Sequence, residues 1–494
     1  MAVTETHGEV GKTTSRPRGD DHWDVVVVGH GAAGLTAALA YLEATPSGAA
    51  PRVAVLDRAP RSQRGGSTAW TTAAFRLTAD AQLHPTWGEI VRATAGARAN
   101  IAYIDAFYEN ATDTLNWIRR HGIALSSQAI PPLPMTYGKK SWFPVGGGRA
   151  IVDTLGDVIV ERGATVFYQT TALRLVVGAD SRLTGIIVRG SDGAERTMLA
   201  DAVILASGGF EGNPEMLSRY IPNAHRLKTV APGTEVNRGD GIRMAVEIGA
   251  ASAGQFDGAH LEPVDPRSSN REALVRSWVY GIAVNSFGER FIDEAENPFD
   301  IQFDLLANRL FREHGGVGYA IIDAAIRSSV PMEYLNDAEN PPVRADTIEE
   351  LAERLGLPAS TLAKTVREYN EAARGGTFDP SSLDGKSTAG LRINKSHWAV
   401  PLTTPPFEGV PVTVNICYTF GGLDTDGSAR VLTTDGQPIP GLYAAGEIVG
   451  VFYEKYPSGS SVLRSLTFGR IAGQTAAAEL AGARAGGERR PSDC

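Results

Sequence analysis

The sequence predicts an α/β fold built on a dinucleotide-binding unit, and three observations lead there. Near the start an apolar strand runs straight into a glycine-rich turn and a helix. Near the end glycine clusters, strand texture and a second helix return, and between these ends lies a mixed stretch with amphipathic helices.

Asp24-Val25-Val26-Val27-Val28 is a β-branched run of the kind buried on both faces in a central parallel strand. Gly29-His30-Gly31-Ala32-Ala33-Gly34 follows without a gap, and Leu35 to Glu43 reads as an Ala/Leu-rich helix. A second strand, Val53-Ala54-Val55-Leu56, ends at Asp57, an acid at about 20 residues from the turn, where a ribose-binding carboxylate belongs. Gly29 makes the tight turn, Gly31 lets backbone approach a pyrophosphate, and Gly34 lets helix and strand pack closely. The helix N-terminus then offers amides and a positive dipole end to phosphates.

Gly65-Gly66-Ser67-Thr68 comes next, with amides and hydroxyls for the same ligand. Thr165 to Val177 is expected to be a strand, as is Ala202 to Ala206, which runs into Ser207-Gly208-Gly209-Phe210. Thr347 to Glu350 has capping-box spacing before a helix that Gly356 ends, and Leu362 to Ala373 is a second amphipathic helix. Pro411 to Cys417 is again a strand; Gly441 to Glu447 and Ser458 to Ser461 then lead into a helix beginning near Ser461. No second fingerprint of this type stands between a strand and a helix, so one dinucleotide site is expected.

Composition narrows the function. Lys and Arg number 47 against 56 Asp and Glu, a net charge of −9, which speaks against nucleic-acid binding. Two cysteines, Cys417 and Cys494, cannot build a disulfide framework, an iron–sulfur cluster or a four-thiolate zinc site, and no metal site is expected. Redox chemistry therefore needs an organic cofactor. No run is long and apolar enough to span a membrane, and residues 1–21 lack the apolar core of a signal peptide. The expectation is a soluble, cytoplasmic protein with a disordered leader at 1–21 and a tail at 483–494. Glycine, 55 of 494 residues, is about 11 % against an average near 7 %, in keeping with backbone approaching a ligand.

The ordered set GHGAAG, GGST, ASGGF, NSFGERFIDE, FGGLDTDG, GLYAAGE and FGRIAG resembles the FAD-dependent fumarate reductase and 3-ketosteroid dehydrogenase superfamily over about residues 22 to 480. The resemblance implies a Rossmann-type FAD-binding domain in two segments, 22–289 and 409–482, with an inserted α+β capping domain at 290–408. It implies cofactor contacts from Gly29, Gly31, Ala32, Ala33, Gly34, Asp57, Arg58, Gly65, Gly66, Ser67, Thr68, Ala172, Ser207, Gly208, Gly209, Gly446, Glu447, Ser461 and Val462. Glu447 would bind ribityl hydroxyls. Family members with covalent flavin carry a histidine near the GGST position; Gly66-Ser67-Thr68 here implies non-covalent FAD.

Substrate chemistry is carried over position by position. Where fumarate reductases place three cationic residues, this chain has Tyr418, Tyr456 and Pro298 or Phe299, which disfavours fumarate. Tyr456-Pro457-Ser458-Gly459-Ser460 resembles the Tyr-Pro-x-x-Gly stretch of 3-ketosteroid 1-dehydrogenases, so the Tyr456 hydroxyl and the Ser460 amide are expected to hold a ketone. The α-proton would go to Tyr418 or to His260. Phe299, Trp142 and Phe143 are expected to border the substrate, and Arg464 to meet a substrate carboxylate or an internal partner. The resulting expectation is an FAD-dependent desaturase acting α,β to a ketone, of a small cyclic keto acid such as 4-oxocyclohexanecarboxylate or of a 3-ketosteroid. Oxygen, a quinone or another carrier would reoxidise the flavin. A tricarballylate-dehydrogenase-like enzyme and a flavin-carrying protein without turnover are the alternatives.

Overall fold

The computed structural model describes residues 22–46, 50–129, 133–138, 140–179 and 181–487. The expected leader at 1–21 and residues 488–494 of the expected tail lie outside these. Residues 483–487, expected in the tail, instead continue the closing helix, Ser461–Gly487. Ala483, Arg484 and Ala485 are good helix formers, and Arg484 is tied to Asp24 at 2.5 Å and Asp201 at 3.2 Å.

The first sheet follows the order Arg430–Leu432, Pro438–Ala444, Glu195–Leu205, His22–Val28, Val53–Leu56, Thr165–Phe167. Along this path all pairs but the first are parallel, with Val25 opposite both Val53 and Ala202, and Thr171–Val177 and Leu183–Arg189 add an antiparallel extension on Glu195–Leu205. Val25, Val26 and Val27 are 0 % exposed, as their β-branched run requires of a strand covered on both faces. The strand expected over 165–177 is two strands, Thr165–Phe167 and Thr171–Val177. Between them Gln169 turns to a φ of 51°, and the Gln169 and Thr170 amides donate to the carbonyls of Ala59 and Asp57. The chain leaves the sheet edge to close over the Asp57 loop.

The opening helix, Ala32–Ala44, is buried almost all round because the closing helix covers its outer side. Two glycines make that approach possible. A Cβ on Gly469 would stand 2.2 Å from the Ala33 carbonyl oxygen, and one on Gly473 2.3 Å from that of Ala37. Gly473→Val should lower unfolding free energy by on the order of 3 kcal/mol by forcing the helices apart. A urea midpoint unchanged from wild type would show that the pair tolerates the added volume.

A second sheet packs over the ligand side. Its long strand, Phe407–Thr419, pairs with Ala259–Val264, Gly318–Ile322, Val343–Ala345 and Lys228–Thr229, and Ile282–Asn285 pairs with Gly318–Ile322. Strands before residue 290 and after 408 thus share a sheet with those of the stretch expected as an insert. The helix Ile348–Leu355 forms as the capping pattern predicts, with Thr347 Oγ1 accepting from the Glu350 amide at 3.2 Å and Gly356 at φ 72° ending it. The next helix is Ala359–Ala372. Among the described residues no helix is long and apolar enough to cross a membrane.

Candidate active site

A cavity of about 720 Å³ lies where the two sheets meet the opening and closing helices. One end is made of the glycine turn. Gly29 takes a φ of 118°, and a Cβ there would sit 2.2 Å from the Ala206 carbonyl oxygen. Gly34 lies outside the lining: its Cβ would meet the Gly29 oxygen at 1.9 Å, so its bareness serves helix–strand packing. The opening helix has no side-chain cap and no acid in its first turn, which leaves its positive end to a phosphate. Thr68 Oγ1 accepts from the Ala32 amide at 3.1 Å and brings the Gly65–Thr68 loop against that end. Ser207 Oγ is buried and unpartnered at the cavity edge. An uncapped helix end, glycines on the lining and an orphaned hydroxyl fit a dinucleotide pyrophosphate.

Of the residues expected to contact the cofactor, Gly31, Ala32, Ala33, Asp57, Arg58, Gly65, Gly66, Ser67, Thr68, Ala172, Ser207, Gly208, Gly446, Glu447, Ser461 and Val462 line this cavity. Gly209 does not; a Cβ there would strike Thr419 Oγ1 at 2.1 Å and Glu447 Oε1 at 2.4 Å, so it makes room for Glu447. Asp57 is shared with its own loop, its carboxylate accepting from the amides of Ala59 at 2.9 Å and Gly65 at 3.2 Å. Arg58 leans on Asp240 at 2.7 Å. The Thr419 amide donates to both Glu447, at 3.0 Å, and Glu211, at 3.1 Å. Burial, with Glu447 beside it, pushes the Glu211 carboxyl well up.

At the other end two aromatic hydroxyls and an imidazole converge. Tyr418 and His260 are partners across the antiparallel strands Phe407–Thr419 and Ala259–Val264. The Tyr456 ring lies 4.5 Å from His260 and 5.5 Å from Tyr418. Burial pushes the Tyr456 hydroxyl up to about 12, while hydrogen bonding to the Ser461 side chain and amide pulls the other way. The amide beside this hydroxyl is therefore that of Ser461, at the start of the closing helix. Ser460, whose amide was expected in that role, does not line the cavity, and its hydroxyl donates to the Pro457 carbonyl at 2.6 Å.

His260 Nδ1 contacts Asp304 Oδ1 at 2.8 Å. Burial alone would lower its pKa, but the Asp304 carboxylate outweighs that and raises it. Burial lifts Tyr418 well above the ordinary phenol range, against the pull of Arg464. Arg464 is 0 % exposed and absent from the lining. It donates to the Tyr103 hydroxyl at 2.9 Å, to the Val449 carbonyl at 3.4 Å and to the Tyr418 hydroxyl. The expected carboxylate contact is thus corrected: Tyr418 stands between this guanidinium and the cavity.

Phe143 and Phe299 line the cavity, and Phe299 stacks on Phe303 at 5.3 Å. Trp142 does not line it. On the strand Lys140–Pro144 successive side chains face opposite sides, so Ser141 and Phe143 reach the cavity and Trp142 points away.

Three contributors were not legible in the sequence. Tyr137 lines the cavity with its hydroxyl pushed up to about 12 by burial, and it belongs to a loop with no periodicity to flag it. His30, inside the fingerprint, is lowered to about 4 by burial and lines the cofactor end as a neutral imidazole. Arg76 and Asp300 form a buried ion pair at 2.5 Å that fastens the substrate-side loops.

The comparisons agree with this geometry. The family model for an FAD binding domain matches residues 24–463. A fumarate reductase (cytochrome) from Shewanella frigidimarina is 28 % identical over 92 % of this chain and 77 % of its own length. A 4-oxocyclohexanecarboxylate 2-dehydrogenase from Sinomonas cyclohexanicum is 29 % identical over 93 % of this chain and 94 % of its own. In fold alone, the structure of a 3-ketosteroid-Δ4-(5α)-dehydrogenase from Rhodococcus jostii RHA1 superposes with a TM-score of 0.72 at 24 % identity, covering 94 % of this chain and 99 % of that one. The chain belongs to this FAD-binding family of fumarate reductases and ketosteroid dehydrogenases, and is an FAD-dependent oxidoreductase acting on CH–CH bonds.

Proposed function

We propose that this enzyme introduces a carbon–carbon double bond α,β to a ketone. The observation that carries the reading is the Tyr456 hydroxyl beside the Ser461 amide at the start of the closing helix, with Tyr418 and His260 in ring contact on the cavity wall. Tyr456 and the Ser461 amide polarise the carbonyl and stabilise negative charge on its oxygen as the α-proton leaves. FAD, held non-covalently, supplies the acceptor for the β-hydride.

Tyr418 is the proposed base. Its oxygen accepts from Arg464, which favours its negative form against the burial that raises its pKa. His260, with Asp304 favouring its protonated form, is less suited to removing a proton and better suited to packing the Tyr456 ring. Phe143, Phe299 and Phe303 supply an apolar wall for a ring substrate. The stretch 290–408, joined by Ala259–Val264 and Ile282–Asn285, acts as the cap over that ring, closing the FAD-binding portions at 22–289 and 409–482.

Oxidation of a polycarboxylate is disfavoured by charge. The guanidinium at the substrate end, Arg276, is engaged by both oxygens of Asp337, with Nη1 at 2.7 Å from Oδ2. A keto acid, the substrate in the name of the Sinomonas relative, is the second reading, favoured by the unpartnered Arg276 Nε. The same proposal places the enzyme in the cytoplasm, with oxygen or a quinone-like carrier reoxidising the flavin. Anaerobic bleaching of flavin absorbance tests it. A 3-ketosteroid should bleach the holoenzyme, and cyclohexanecarboxylate, which lacks the ketone, should not; bleaching by 4-oxocyclohexanecarboxylate in place of the steroid would favour the keto-acid reading. Bleaching by tricarballylate alone would reject ketone activation.

A further inference from the structure

Beyond the ketone-binding tyrosines the cavity continues along the strand Ala259–Val264 to a corner formed by Glu262, Asn270, Glu272, Arg276, Asp337 and Cys417. We infer that this corner recognises a hydrogen-bond-donating tail on the substrate, a hydroxyl or an amine, and rejects a carboxylate tail. The inference rests on the ketone reading of the same site and names the substrate class.

Glu262 is two positions beyond His260 on the same strand, only 9 % exposed, and its Oε2 is buried with no hydrogen-bond partner. Its other oxygen lies 3.8 Å from His260 Nε2. A buried acceptor without a donor is costly, on the order of 1–3 kcal/mol, unless a ligand supplies the missing hydrogen. Glu272 lines the same corner. Burial, with Glu262 and Asp337 nearby, pushes its carboxyl up to about 8.

Against these carboxyls the corner offers the single guanidinium of Arg276, 8 % exposed and already neutralised by Asp337. A carboxylate tail would bring a second negative charge beside Asp337, whose two oxygens already engage the Arg276 guanidinium. A hydroxyl would donate the hydrogen that Glu262 Oε2 lacks. An ammonium would draw Glu262 and Glu272 into their ionised forms.

Four cyclohexanones with hydroxymethyl, aminomethyl, methyl or carboxylate at C4 test the inference. Dissociation constants are read from perturbation of the flavin spectrum of the anaerobic holoenzyme, and bleaching is followed separately. The two donor tails should bind about tenfold or more tighter than methyl, and the carboxylate no better than methyl. Glu262→Leu should abolish that advantage; if this variant does not fold, Glu272→Gln should selectively weaken the amine. Equal constants for all four, a carboxylate that binds best, or no measurable binding would overturn the inference. Donor tails that bind in this order while none bleaches the flavin would reject desaturation and leave the tail preference standing.

Discussion

Tyr456→Phe should lower kcat for ketone desaturation by about 10²–10³-fold, the usual effect of deleting one preorganised donor to a developing oxyanion. The substitution removes one oxygen and keeps the ring, so the contacts with His260 at 4.5 Å and Tyr418 at 5.5 Å survive and FAD content should not change. The paired control is Tyr418→Phe, which should also stop turnover while leaving ketone binding close to wild type, because the proposed base acts on the α-carbon and not on the carbonyl. Steady-state kinetics with substrate dissociation constants separate the two roles. A Tyr456→Phe enzyme with wild-type kcat would remove this hydroxyl from the chemistry and move attention to Tyr137, a third phenol on the lining.

Asp300→Ala should be the most destabilising single change at the substrate end, by about 3–5 kcal/mol, because it leaves the Arg76 guanidinium buried without its charge partner. Arg76 is 0 % exposed and Asp300 1 %, and they meet at 2.5 Å. The pair also joins four segments. Arg76 donates from its amide to the Gly459 carbonyl at 2.6 Å and from Nε to that of Ser458 at 2.8 Å. Asp300 accepts from the Thr136 amide at 2.7 Å, and it is the second residue of the helix Phe299–His314. Losing it should therefore loosen both the Tyr456–Ser461 loop and the Phe299 wall, lowering kcat together with the urea midpoint. Asp300→Asn keeps the shape and loses the charge, and should fall between wild type and alanine. A midpoint within experimental error of wild type for Asp300→Ala would mean that water reaches Arg76 and compensates it.

Much of the cofactor end was legible because its signals are local. A glycine at φ 118°, a β-branched strand and an uncapped helix end occupy consecutive residues, and each is dictated by its own sterics or hydrogen-bonding needs. Glu447 and the Gly65–Thr68 loop were placed by family resemblance, and the structure puts them on the same lining. Gly209 was assigned to the ligand because sequence cannot distinguish a glycine bared for a cofactor from one bared for a neighbouring chain segment. The oxygen atoms a Cβ would meet make that distinction.

At the substrate end the sequence did not reveal which way each side chain faces. Tyr456, Tyr418, His260, Phe143 and Phe299 all reach the cavity, whereas Trp142, Ser460 and Arg464 do not. Strand alternation decided between Trp142 and Phe143, and the first turn of the closing helix decided between Ser460 and Ser461. Each is a one-residue shift that reverses what a side chain faces.

By itself the sequence determined the dinucleotide unit, the order of its strands and helices, and the presence of a tyrosine beside the closing helix, because these follow from contiguous residues. Only the tertiary structure decided that Arg464 supports Tyr418 instead of a substrate carboxylate. A buried guanidinium takes whatever acceptors surround it, and here Tyr103 and Tyr418 arrive from segments far away in the chain. The acidic corner has the same origin: Glu262, Glu272, Arg276 and Asp337 acquire their meaning from mutual burial, which separation along a chain does not encode.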